Sequence, residues 1–318
     1  MTAYNFSHKF CLSLVLLMLI TAGSPHIARA GDKQMLIGVT LHPYYSFVTN
    51  IVQDRAQVVP LIGEGFNPHN YRPQPNDIKR CMDLDVLVVN GIGHDEFAFE
   101  IVEAAERKDN LPIIFANKDV SLIPVSGTLN DEKIVNPHTF VSVTASVRQI
   151  YTIAQELGKI DPDNQSFYRK NARRYATTLK KIKAEHMQKV LENGPINLRC
   201  ATIHGGYDYL FQDFGLQVTA VIEPGHGLKP TASQLADTID KIKNLGVDVI
   251  FTEMSFPDQY VETIHKETGI QIQHLSHLTS GEYSQTGFEK GLRKNMNALV
   301  TALLESRGQN QRHTPTPK

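Results

Sequence analysis

Cysteine is scarce in this 318-residue chain: Cys11, Cys81 and Cys200 are the only three, and no Cys-x-x-Cys pair occurs. That composition excludes a disulfide framework and argues against a thiolate zinc site. No charge of one sign prevails, with 32 Lys and Arg against 33 Asp and Glu, so the chain carries no nucleic-acid footprint. An apolar content of 41% supplies ordinary globular cores and excludes a disordered chain. Long apolar runs are missing as well. The run Cys11–Ile20 is too short to cross a bilayer comfortably, so no stable membrane insertion is expected. Lys9 before it and Ala28-Arg29-Ala30 after it complete the pattern of an export signal. Residues 1–30 are therefore expected to be a cleaved signal peptide, with a mature protein starting near Gly31 in the periplasm. Phe10 makes a poor lipid-attachment context for Cys11; Cys81 and Cys200 are expected to be separate buried thiols, with a disulfide between them as the alternative in an oxidising compartment. Neither His-Glu-x-x-His nor a nucleophile elbow is found, and no short internal repeat occurs.

What is present is an alternation of short apolar runs and amphipathic stretches. Strand-like runs are Met35–Thr40, Val58–Ile62, Asp85–Asn90 and Pro112–Ala116, then Leu198–Ile203, Gln217–Ile222, Asp248–Thr252 and Ile270–Leu275. Helix-like stretches are Tyr44–Gln53, Asp95–Arg107, Thr144–Leu157, Tyr207–Phe214, Ala232–Asn244, Gln259–Glu267 and Tyr283–Glu305. Thr231-x-x-Gln234 reads as a capping box, and Pro75 suits the first turn of a helix. Between the halves, Asp161–Asn193 has no Gly and, after Pro162, no Pro. About 28 residues at 1.5 Å each make a rod of roughly 40 Å, enough to run the length of one lobe and join it to the next. The pattern predicts an α/β protein of two lobes, each a parallel sheet flanked by helices, joined by one long connecting helix. The expected boundaries are 31–160 for the first lobe, 161–194 for the helix, 195–306 for the second lobe and 307–318 for a disordered tail.

Histidines stand in polar, Gly- and Pro-rich loops where strands end. His69 lies in Gly63–Asp77; Asn136-Pro137-His138 nearly repeats Asn67-Pro68-His69; His204 opens His204-Gly205-Gly206; His274 and His277 fall in Gln273–Tyr283. In open α/β sheets, ligand sites collect beyond the carboxyl ends of strands, so these loops could bring imidazoles into one cleft. Imidazole is the common neutral ligand of Zn²⁺ and its neighbours in the first transition row. A structural histidine in any one loop remains the alternative.

These segments resemble the metal-binding receptors of zinc and manganese ABC uptake systems, the ZnuA/TroA-like family. Asn67–Asp77 is similar to the family's Asp-Pro-His-x-Tyr-x-Pro-x-Pro-x-Asp signature, Leu84–Gly91 to its Ala-Asp-Leu-Val-Val-x-Asn-Gly stretch, and Asn136–His138 to its second Asp-Pro-His. Asp161-Pro162, Asn164, Tyr168 and Asn171 match the opening of its linking helix, and Thr202–Tyr209 its Thr-x-His-x-x-Phe/Tyr-x-Tyr motif. The resemblance spans nearly all of the mature chain, in order. It implies a binding protein rather than an enzyme, a monomer whose partner is a membrane ABC permease, with His69, His138 and His204 as metal ligands. At the fourth position the family's Leu-Asp-Pro-Leu is replaced by Leu275-Ser276-His277-Leu278, so the expected carboxylate is missing. His277, His274, a water or Glu253 could replace it; Glu253 is expected to orient an imidazole, and His277→Ala to cost less than loss of the other three histidines.

Two further departures are Asn67 and Asn136 in place of Asp, and a Lys118–Val135 stretch free of the His-rich loop many zinc members carry. With an oxygen donor gone, the site favours Zn²⁺ over Mn²⁺, as does the Irving–Williams order. His42 is expected to line the cleft, His226 to lie on the surface, and His94, His186 and His265 to be solvated. Tyr44, Tyr45 and Phe47 are spaced for core packing. A zinc hydrolase with an open three-His site, or a siderophore or haem receptor on the same architecture, are the competing readings. The first lacks its motifs, and the second would put Arg or aromatic clusters where histidines stand.

Overall fold

Each apolar run of the first half forms a parallel strand and most of the stretches between them form helices: β1 (Met35–Val39), α1 (His42–Val52), β2 (Ala56–Pro60), α2 (Pro75–Met82), β3 (Val86–Val89), α3 (Phe97–Ala104) and β4 (Ile113–Phe115). The sheet order is β2-β1-β3-β4. β3 is buried at every position, the continuous apolar run of a strand covered on both faces. In this computed structural model the described residues are 34–66, 68–129, 132–194, 198–222, 231–253 and 258–312. The expected signal peptide (residues 1–30) and His226 lie outside them, as does residue 67.

After β4 the chain forms an antiparallel hairpin, β5 (Pro124–Leu129) with β6 (Glu132–Val135), then α4 (Val143–Ile160) and the 27-residue α5 (Gln165–Leu191). The second half contributes β7 (Cys200–Thr202), α6 (Asp208–Asp213), β8 (Val218–Val221), α7 (Ala232–Leu245), β9 (Val249–Glu253), α8 (Asp258–Thr268), β10 (Gln271–Leu275) and α9 (Gly287–Arg312). Its parallel sheet runs β10-β9-β7-β8. Local signals act as read. Thr231 Oγ1 accepts from Gln234 N at 3.3 Å while Gln234 Oε1 accepts from Thr231 N at 2.8 Å, and Gly246 ends α7 with φ +60°.

Three differences have physical causes. The hairpin fell in a stretch without strand periodicity. Helix α3 is shorter than the Asp95–Arg107 pattern because Asp95 is spent on the turn before it and Glu106 turns left-handed, φ +54°. Helix α9 continues through Arg312, past the Arg307 start expected for the tail. Residues 307–312 are polar but contain no proline to stop the helix.

Helix α5 buries Tyr168, Ala172, Tyr175, Leu179, Ile182, His186 and Val190, a stripe at spacings of three and four. That stripe belongs to one continuous core holding Ile37 and Val39 of the first sheet and Val249 and Phe251 of the second. Separate apolar clusters cover the outer faces: Leu87 and Val89 with α2 and α3, and Ala201 and Ile250 with α7 and α8. The two lobes thus share a helical middle layer instead of each closing its own interior, and the described residues form one compact unit. Among the described residues no helix is long and apolar enough to cross a membrane.

A shared core resists wide hinge opening. Small-angle scattering of metal-free and metal-loaded protein is expected to give nearly equal radii of gyration; a change of several ångströms would contradict the shared core.

Candidate metal centre

Both sheets reverse their strand order at a point where ligands can reach the carboxyl ends of the strands. In the second sheet the chain steps from β7 to β8 on one side and then to β9 on the other. The loops leaving this crevice carry His204 just after β7, Glu253 at the end of β9 and His277 just after β10. His138 comes from the first half, at the end of the segment that leaves the β5–β6 hairpin.

The donor atoms of His138, His204 and His277 lie within 4.8 Å of one another. His138 Nε2 and His204 Nε2 are 3.2 Å apart. All three side chains are sheltered, with residue exposures of 1% for His138 and 5% for His204 and a side-chain exposure of 11% for His277. Zinc–nitrogen bonds of 2.0–2.1 Å place tetrahedral donors about 3.3 Å apart, close to the spacing His138 and His204 already have.

The Asn136 amide sets that spacing. Its Oδ1 accepts from the His138 backbone N at 3.1 Å and faces His138 Nδ1 at 2.9 Å. An amide oxygen only accepts, so Nδ1 carries the proton and Nε2 keeps its lone pair toward the cluster. Asn136 Nδ2 donates to Gly205 O at 2.7 Å and to Asp208 Oδ2 at 2.8 Å, across to the turn that holds His204. A carboxylate at 136 could accept from His138 but could not donate to Gly205. Tyr209 Oη donates to Asn136 O at 3.0 Å and accepts from Ile123 N at 2.8 Å, closing the link.

Glu253 Oε1 is 3.1 Å from His277 Nε2. It touches an imidazole on the nitrogen that also faces Gly206, so it stands at the rim of the cluster and not behind the ring. Ser276, at the position of the family's carboxylate, spends its hydroxyl on the turn, accepting from Leu278 N at 3.1 Å. His274 is exposed on β10, outside the cluster. His69 falls in the 3-10 turn Pro68–Asn70, and its side chain is outside the described residues.

Other histidines depart from their expected places. His94 is 5% exposed, not solvated: φ +81° after Gly91 and Gly93 turns it inward, with its ring 5.0 Å from that of His138. The Gly-x-Gly-His sequence was the signal for that turn. His186 is also buried, four residues beyond Ile182 on the packed face of α5, with Nε2 3.0 Å from Asn297 Oδ1. His265 is exposed as expected. His42 stacks on Tyr283 at 3.9 Å, and burial lowers its pKa. Tyr44 and Phe47 are core residues.

A model of the family described as zinc-uptake complex component A, periplasmic (ZnuA), matches residues 37–302. The chain belongs to the ZnuA family. ZnuA-family relatives include the high-affinity zinc uptake system protein ZnuA of Bacillus subtilis, 24% identical over 321 residues, covering 94% of this chain and 98% of that protein. The manganese ABC transporter substrate-binding lipoprotein PsaA of Streptococcus mitis is 25% identical over 268 residues, covering 83% and 86%. Among solved structures, the SBP FpvC from P. aeruginosa in complex with Ni²⁺ is 49% identical with a TM-score of 0.80, covering 86% of this chain and 98% of that one. As a ZnuA-family chain, the protein is a metal-binding substrate-binding protein of the ABC-transporter type.

Next to His94 in sequence, the buried Asp95 accepts from Thr40 Oγ1 at 2.7 Å, Asn90 N at 2.6 Å and Gly91 N at 3.1 Å. Burial outweighs these donors and raises its pKa to about 6. A carboxyl raised above its unfolded value near 3.9 stabilises the fold below that value, and the contribution is lost as pH rises through 6. Between pH 7 and 5 the metal-free protein is expected to gain about 1 kcal/mol at this group relative to Asp95→Asn. Urea unfolding of both proteins at three pH values measures it; parallel pH dependences would remove Asp95 as the cause.

Proposed function

We propose that this protein captures a divalent first-row transition metal in the periplasm, Zn²⁺ in preference to Mn²⁺, and delivers it as a monomer to a membrane ABC permease, without catalysis. The reading rests on one observation above all: imidazole donors of His138, His204 and His277 converge within 4.8 Å from segments on both sides of the shared helical layer. In this reading all three bind the metal. His69 joins them on the strength of the signature Asn67–Asp77, and Glu253 at the rim offsets the ion's charge. The sequence-based expectation that His277 matters least is dropped, because its ring stands 4.7 Å from that of His204 and 4.9 Å from that of His138.

Nitrogen-rich shells suit zinc and nickel, whereas manganese favours oxygen-rich, higher-coordinate ones. The Ni²⁺ and Mn²⁺ complexes of FpvC support a site of this kind that accepts more than one divalent ion. The export-signal pattern of residues 9–30 and the family's work with a permease support the route of delivery.

Calorimetry with Zn²⁺ and Mn²⁺ tests the assignment. His69→Ala, His138→Ala, His204→Ala and His277→Ala are each expected to weaken Zn²⁺ binding by about tenfold to a hundredfold or more. Wild-type protein that binds Mn²⁺ more tightly than Zn²⁺ would overturn the metal choice. Undiminished binding by His138→Ala and His204→Ala would overturn the site.

A further inference from the structure

The turn between β7 and α6 contains two glycines with different surroundings. A Cβ on Gly205 would meet nothing within 4 Å. One on Gly206 would stand 2.5 Å from His277 Nε2, 2.7 Å from His204 Cδ2 and 3.0 Å from His204 Nε2. Separations that short lie well inside van der Waals contact. Gly206 is buried and its φ lies outside the left-handed region, so the backbone would accept an alanine. What the glycine supplies is the empty space where a methyl group would otherwise sit among the donor nitrogens.

The opposite side of that space is shaped by the turn after β10. Ser276 is clasped by the Asn295 amide, which accepts from Ser276 N at 2.8 Å and donates to Ser276 O at 2.7 Å. Its hydroxyl is engaged by Leu278 N, and Leu278 takes φ +63°, a conformation that costs a leucine energy and persists only when its surroundings hold it. Leu278 is held: its side chain packs against Gly291 so closely that a Cβ there would meet Leu278 Cδ2 at 2.5 Å. With Ser276 turned away, His277 is the side chain this turn delivers to the cluster, into the space that Gly206 leaves open.

We infer that Gly206 and His277 are a matched pair that sets the metal selectivity of the site. The missing methyl admits a bulky imidazole where a carboxylate would give oxygen, and the added nitrogen favours Ni²⁺ and Zn²⁺ over Mn²⁺. This inference rests on the proposed ligand role of His138 and His204. Gly206 itself touches no metal; it is a positioning residue that works through the rings of His277 and His204.

The test is a double-substitution cycle with Zn²⁺, Ni²⁺ and Mn²⁺, read by chelator competition, on wild type, Gly206→Ala, His277→Ala, the double variant and His277→Asp. Gly206→Ala is expected to lower Zn²⁺ and Ni²⁺ affinity by at least about tenfold. In the His277→Ala background the same methyl costs distinctly less, because one of the two rings it displaces is gone. His277→Asp, which keeps the glycine, narrows the Zn²⁺-to-Mn²⁺ affinity ratio by at least about tenfold, and it carries the test if Gly206→Ala does not fold. An equal penalty for the methyl with and without His277, or an unchanged ratio in His277→Asp, would overturn the pairing. If His138→Ala and His204→Ala bind as wild type does, the ligand reading itself fails. If they lose binding while Gly206→Ala and His277→Asp behave as wild type, only the pairing fails.

Discussion

The Asn136 amide is the contact on which the rest of the centre depends. Its oxygen holds the His138 ring by Nδ1 and its nitrogen holds the Gly205 carbonyl in the next lobe. One planar group therefore fixes the tautomer of one imidazole and the position of the turn that carries another. The 3.2 Å gap between the two Nε2 atoms follows from that bridge. Neither lobe could set it alone. This also fits the asparagine that opens the second signature: the position accepts on one side and donates on the other, which an amide does and an ionised carboxylate cannot.

Such a bridge keeps its geometry only if the lobes hold still relative to each other. The core around α5 meets this need by joining both sheets through a single helical layer. A second tie runs through the segment after His277. Ser46 Oγ donates to Ser284 O at 2.7 Å, Asn50 Nδ2 donates to Gln285 O at 2.9 Å, and Phe47 meets Phe288 edge-on at 4.7 Å. The loop that begins with His277 thus ends anchored on α1 of the first sheet. Rings positioned before an ion arrives pay less ordering entropy when it binds, as expected for a receptor with a fixed site.

Much of the fold was legible because its signals are local. Eight apolar runs became the eight strands of the two parallel sheets, and the Gly-free stretch after Pro162 became α5. Strand-end placement and the repeated Asn-Pro-His brought His138 and His204 forward as candidates, and these do converge. What stayed hidden depends on contacts between distant residues. His94 looked like a surface residue because nothing in its own sequence states that a left-handed turn after Gly93 faces His138. His186 could have been read from its four-residue spacing to Ile182, yet polarity argued for solvent. The placing of His277 over Ser276 turns on the φ of Leu278 and the grip of Asn295, neither of which periodicity encodes.

The central claim is that imidazoles from both halves of the chain form one nitrogen-rich metal site. X-ray absorption at the zinc edge of the loaded protein tests it most directly. The account predicts a shell dominated by nitrogen at about 2.0–2.1 Å, with the outer-ring scattering of at least three imidazoles. A shell dominated by oxygen, with the imidazole scattering of one ring or none, would contradict it.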